Sequence, residues 1–293
     1  MTLSAAQRAA LLRDLEGIGD AQDALADASV DAVSRSYGDA LDASLVKIRR
    51  LARGIKTDAA GRLIPDLGAV ASLSSTLGAD NEPWRIVWRE WTKRMSGLLK
   101  LQLDYGSRIK NQNAVWLGHE RSTLEALVGM WPAKGEPTQG LALRFYALTT
   151  SERARINNGL TQHMLGRLPA PALERFIDEA SPSSTARVKQ LVQDGTFQVV
   201  RTAHQIKAAS LGLTFFRYSG PADNVTRPFC TARVTRVFSR EEIDEMDNGQ
   251  TGEGTALIAC GGYNCRHRWA SVSPDWYTPE DWAAMRKTNA DAE

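Results

Sequence analysis

Three cysteines and one histidine carry the chemical potential of this chain. Cys260, Cys265 and His267 fall within eight residues of one another, and Cys230 lies thirty residues before the first of them. Thiolate sulfur and imidazole nitrogen are the usual donors to zinc, which takes four ligands tetrahedrally. A Cys-x-His pair on a turn, joined by a cysteine from a hairpin, supplies three donors, with Cys260 or His204 as the fourth. The spacing matches no paired Cys-x2-Cys knuckle. The alternative is therefore a set of reduced, buried thiols that pack as small apolar groups, with His267 bonded to backbone. A thiol nucleophile is a third option. It needs a base and an orienting group, and Cys265, His267 and either Asp223 or Asn264 could form such a set. If Cys265 and His267 lay on a strand, they would share a face at about 7 Å between Cα atoms, too far for a good hydrogen bond. No phosphate loop, nucleophile elbow or HExxH motif occurs.

The surroundings of these residues differ from the rest of the chain. From Leu213 the texture is β-prone and rich in turns. Leu213–Tyr218 and Thr235–Phe238 read as strands, and Arg266–Val272 as a returning one. Ser239, followed three residues later by Glu242, forms a capping box for a helix over Arg240–Met246. Thr278 followed by Pro279 opens a last short helix.

Everything earlier reads as helix. Leu11, Leu12, Leu15 and Ile18 form one apolar face, and Leu41, Leu45, Ile48 and Leu51 another; Gly17 and Gly19 are expected to separate two helices that fold back on each other. The basic end at Lys47, Arg49, Arg50, Arg53 and Lys56 complements a helix dipole or meets an acidic partner. Residues 57–83 read as a connector with one short helix, followed by a long helix over Glu82–Asn111. On that helix Trp84, Trp88 and Trp91 recur on one face, as core or as an interface. Further helices are expected over Ser122–Trp131, Leu141–Leu168 and Pro171–Glu179. Another should start at Ser181 and bend near Gly195. The fold class is mainly α: a helical region over 1–194, a small α+β module over 195–275, and a terminal helix and tail over 276–293.

Bulk properties narrow the function. A net charge of +2, from 36 basic and 34 acidic residues, is weak for a dedicated duplex binder. Met1–Arg8 has no apolar core, so no secretory signal is expected, and no apolar run suits a membrane span. An odd cysteine count, confined to one window, suits a reducing cytoplasm.

The window contains, in order, Tyr-Ser-Gly-Pro at 218–221, Asp223, Thr-Arg-Pro-Phe-Cys at 226–230, Phe238 with Glu-Glu-Ile at 241–243, Asn-Gly-Gln at 248–250, and Gly-Gly-Tyr-Asn-Cys-Arg-His-Arg-Trp at 261–269. This order resembles the C-terminal module of minor head proteins of tailed bacteriophages, the head-morphogenesis family typified by the F protein of phage Mu. The resemblance covers roughly residues 195–272; the rest matches in being helical. It implies a structural capsid protein of the virion, made in the host cytoplasm and sited in the head near the portal vertex. There it would act in head assembly and in genome packaging or delivery. The implied partners are the portal protein, the major capsid protein or other head proteins, and packaged DNA. The family's cysteine and Cys-Arg-His positions fall on Cys230, Cys265 and His267, with Cys260 an extra. A glycine common in the family is missing from Ala232–Val237, so that turn is expected to be shaped differently. An internal virion protein contacting DNA through Arg227, Arg233, Arg236, Arg266 and Arg268 is the alternative, and a metal- or thiol-dependent enzyme is a further one.

Overall fold

The computed structural model describes residues 4–64, 68, 71–72, 76–77, 82–108, 118–129, 137–166, 169–252 and 255–286. Its long helices are α1 (Ala5–Arg53), α2 (Glu82–Arg108), α3 (Gly118–Val128), α4 (Gly140–Leu165) and α5 (Ala170–Ser210). The remainder is short: β1 (Phe215–Ser219), α6 (Pro228–Thr231), β2 (Val237–Ser239), α7 (Arg240–Asp244), α8 (Ala256–Ala259), β3 (Arg268–Val272), a 3-10 turn (Pro274–Trp276) and α9 (Pro279–Met285). The protein is mainly α, with a small antiparallel sheet near its C-terminus.

Two expected helix breaks are absent. Gly17 and Gly19 lie inside α1, which runs unbroken. Gly19 has a packing role: a Cβ there would collide with the Arg268 guanidinium. Ser181 starts no new helix, because α5 continues unbroken through Pro182 and Gly195. The buried stripe Leu173, Ile177, Ala180, Ser184, Val188 and Val192 continues across the proline, so packing outweighs the hydrogen bond that proline removes.

The chain forms two compact units. One comprises Ala28–Ser96 and Val128–Val192. Its core holds Tyr37, Leu41, Leu45, Ile48, Trp84, Val87, Trp91 and Phe145, all at most 2% exposed. Trp91 stacks on Phe145 at 4.3 Å, and Trp88 meets the same ring edge-on at 5.5 Å. Trp84 and Trp91 are thus interior, and Trp88 is the half-buried member of the stripe. A polar seam crosses this core. The Tyr37 hydroxyl and Ser184 Oγ lie 2.7 Å apart, and Glu152 accepts from Arg187 at 2.7 Å and Arg155 at 3.0 Å. Arg49 of the basic helix end pairs with Asp178.

The second unit comprises Met1–Asp27, Gly97–Leu127 and Gln193–Glu293. Its sheet has the order β2-β1-β3, with Phe216 opposite Phe238 and Tyr218 opposite Trp269. One side of β1 buries Phe216 and Tyr218 among Phe238, Ile243, Ala256, Leu257 and Trp269. Val237, Val272 and Trp276 form a second cluster, against which Phe215 and Trp282 pack. Ser239 caps α7 in the expected reciprocal box with Glu242, and the Thr278 hydroxyl accepts from Asp281 N at the start of α9.

Several expectations fall outside the described residues: part of the 57–83 connector, the end of the α2 prediction at 109–111, and the loop at 132–136. The side chains of Leu11, Leu12, Leu15 and Ile18 are likewise outside them.

Candidate metal centre

Each donor arrives on a different short element of the second unit. Arg227 and Pro228 start α6, because proline at the first helical position gives up an N–H that has no partner there. This single turn delivers Cys230 into the core, 2% exposed. Cys265 ends a tight turn in which Gly262 and Asn264 take positive φ, of 89° and 57°. Asn264 N donates to Asp194 Oδ1 at 2.6 Å, which ties that turn to α5. His267 immediately precedes β3, with the Gly220 backbone packed against its ring. A Cβ on Gly220 would lie 2.6 Å from His267 Cδ2.

The three donor atoms lie within 4.8 Å of one another, and all three residues are buried. Cys230 Sγ and Cys265 Sγ are 3.8 Å apart, and Cys265 Sγ is 3.6 Å from His267 Nδ1. Contrary to the strand-based expectation, Cys265 lies in the turn before β3, and this is what brings the pair so close. Two of the three edges fit a metal. With Zn–S near 2.3 Å and Zn–N near 2.05 Å, a tetrahedral centre has edges of about 3.8 Å between sulfurs and about 3.6 Å from sulfur to nitrogen. A buried cluster of Cys230, Cys265 and His267 able to hold a metal ion is therefore part of this fold.

The polarity around Cys265 favours a thiolate. Gly261 N and His267 N approach its sulfur at 3.2 and 3.5 Å. Hydrogen bonds from Cys230 and Cys260, with help from His267 and the Arg201 cation, hold the Cys265 thiol well below its ordinary range. The bond to Cys265, together with burial, pushes the Cys230 thiol up. Burial does the same to Cys260. Of the two fourth-ligand candidates, Cys260 is fully buried and turned by a φ of 51°, outside the three-donor group. His204 Nε2 lies 2.8 Å from Gln22 Oε1, and burial drives its pKa down to about 3.

Arg201 was not anticipated. It is buried on α5 and donates to the carbonyls of His267 (2.9 Å), Cys265 (2.5 Å), Ile258 (3.1 Å) and Ala259 (3.4 Å). One planar cation thus fixes both the helix and the turn that lead to the thiols. Its signal in the sequence is a charged residue at i+4 from Phe197 on a stripe that continues to His204 and Ala208, all four at most 3% exposed. Tyr218 belonged to the recognised motif without a role. Its hydroxyl lies 3.2 Å from Cys230 Sγ and 3.8 Å from Cys265 Sγ, and its ring is parallel to that of His267 at 5.2 Å.

Asp223 is not an orienting group for His267. It accepts from Arg266 at 2.6 Å and from the Thr226 hydroxyl at 2.9 Å, which holds its carboxyl below the usual range. A cleft of about 190 Å³ borders the cluster, lined by Val225, Thr226, Arg227 and Asn264 as well as Cys230, Cys265 and His267.

The glycine-free stretch Ala232–Val237 turns on Thr235. Thr235 adopts a φ of 71°, a left-handed conformation rare for a β-branched residue. Its N–H donates to Tyr218 O at 2.9 Å.

Together these features define a mainly α protein whose C-terminal α+β portion is built around a buried thiol–imidazole cluster. No protein-family model, curated protein or solved structure matches the chain.

Proposed function

We propose that this chain is a structural minor head protein of a tailed bacteriophage, associated with the portal vertex and acting in head assembly and genome packaging or delivery. The supporting observation is convergence. Motifs scattered from Tyr218 to Trp269, whose order carries the resemblance, meet in one buried cluster: Tyr218, Cys230, Cys265 and Trp269 share a core, and Gly220 and His267 touch beside it. A sequence resemblance made by chance has no reason to close into a single site. Zinc on Cys230, Cys265 and His267 is the proposed cofactor, and its role is to cross-link three short elements. Metal binding of this kind becomes folding free energy.

Contact with packaged DNA is the weaker alternative, because four of the five arginines named for it have internal partners. Arg227 donates to Gly261 O, Arg233 stacks on Phe229 at 4.0 Å, Arg266 pairs with Asp223, and Arg268 pairs with Asp23. Among the described residues, no helix is long and apolar enough to cross a membrane.

Co-expression with a tailed-phage portal protein, followed by purification and imaging of the complex, tests the proposal. The expected result is a stoichiometric complex that survives raised salt. A folded chain that ignores the portal but binds DNA with a steep salt dependence would replace this function with the DNA one. Turnover of a substrate abolished by Cys265→Ala would replace it with an enzyme.

A further inference from the structure

A tetrahedral ion needs four donors, and the cluster so far supplies three. We propose that the phenol oxygen of Tyr218 is the fourth. The inference rests on the metal reading above and adds a ligand to it. Tyr218 Oη is the described side-chain oxygen that approaches both sulfurs, at 3.2 Å from Cys230 and 3.8 Å from Cys265. A zinc-bound oxygen near 2.0 Å would sit about 3.5 Å from each bound sulfur, midway between these two values.

Three further observations support the placement. The Tyr218 and His267 rings are parallel, within 1°, and the two flat side chains bring Oη and Nδ1 to the same Cys265 sulfur, at 3.8 and 3.6 Å. Tyr218 is fully buried in the core and pinned on both sides of the sheet: it pairs with Trp269 of β3, and its N–H donates to Arg236 O. Cys260, the competing donor, lies outside the three-donor group, and its carbonyl accepts from Asn248 Nδ2 at 2.9 Å.

Ligation releases to solvent the protons of the Tyr218 phenol and the Cys230 thiol, as zinc exchanges waters for these donors and for the Cys265 thiolate. Nothing is oxidised or reduced.

The test is addition of zinc to the metal-free full-length chain, followed by ultraviolet difference spectroscopy and X-ray absorption at the zinc edge. The wild-type protein should develop the tyrosinate difference band at one zinc equivalent and show two sulfur and two nitrogen or oxygen neighbours. Tyr218→Phe should keep the sulfur count, lose the band, and bind zinc about tenfold or more weakly. Cys260→Ala should keep both the tyrosinate band and the count of two sulfur neighbours. A wild-type protein with three sulfur neighbours, falling to two in Cys260→Ala, would overturn the assignment in favour of Cys260. Two light neighbours without a tyrosinate band would overturn it in favour of a solvent ligand. Failure of the folded wild-type chain to bind zinc at all would remove the centre itself, and Tyr218 with it.

Discussion

Gly261 gives the most direct handle on the centre. Its backbone conformation is ordinary for any residue, so replacement by alanine introduces no φ strain. The space is the obstacle. An added Cβ would intrude on Cys230 Sγ and stand 3.3 Å from Cys265 Sγ. The Cys230 sulfur would have to retreat by on the order of 1 Å in a close-packed interior. That movement opens the 3.8 Å edge between the sulfurs and disturbs the Gly261 N–H approach to Cys265. Overpacking of this kind costs about 1–3 kcal/mol, and a displaced donor should weaken zinc at least as much as loss of an outer-shell partner, about 10–100-fold. Gly249→Ala is the control. Gly249 has a φ of 69° but open space around its Cα, so alanine there should cost about 1 kcal/mol through the backbone alone and leave zinc affinity unchanged. Melting curves and competition with a chromogenic chelator read both effects. If Gly261→Ala matched wild type in melting and in zinc affinity, the packing around these sulfurs would be wrong as described.

Other expectations follow from the same geometry. Thr235→Gly should stabilise the protein by about 0.5–1 kcal/mol in chemical denaturation, because relief of a left-handed threonine exceeds the added chain entropy of glycine. Arg201→Met should destabilise by several kcal/mol, since four carbonyls lose one shared donor and each buried orphan costs about 1 kcal/mol or more; a thiol reagent should then label Cys230 and Cys265 faster. His204 is neutral in the fold, with its pKa at about 3 against an ordinary 6.5. The unfolded chain therefore takes up a proton that the native one refuses. Stability should fall by about 1.4 kcal/mol per pH unit as pH drops below about 6, and His204→Gln should flatten that slope in denaturation curves measured from pH 4 to 7.

The legible parts of this protein were those written in local chemistry. The Ser239 and Glu242 box, the Thr278 cap and the β-branched texture of the short strands each act over a few residues, and each formed near its expected place. The helix breaks were misread because glycine and proline propensities are weak beside a continuous buried face, as α1 and α5 demonstrate. In the centre, Cys230, Cys265 and His267 were visible as donor types. Their closeness was not, since it depends on a turn with two positive-φ residues and on sheet register. Arg201 and Tyr218 are remote in sequence or chemically ordinary there, and only the folded chain reveals what they touch.

The small sheet has a consequence for crowding. Its outer strands expose backbone that could template growth with a neighbouring copy, the usual hazard of open β edges. Here β2 is three residues long, and Arg286 reaches from the end of α9 to bond the Val237 carbonyl at 3.3 Å while also pairing with Glu242 at 2.5 Å. A guanidinium clamped over so short an edge makes it a poor seed for fibre formation.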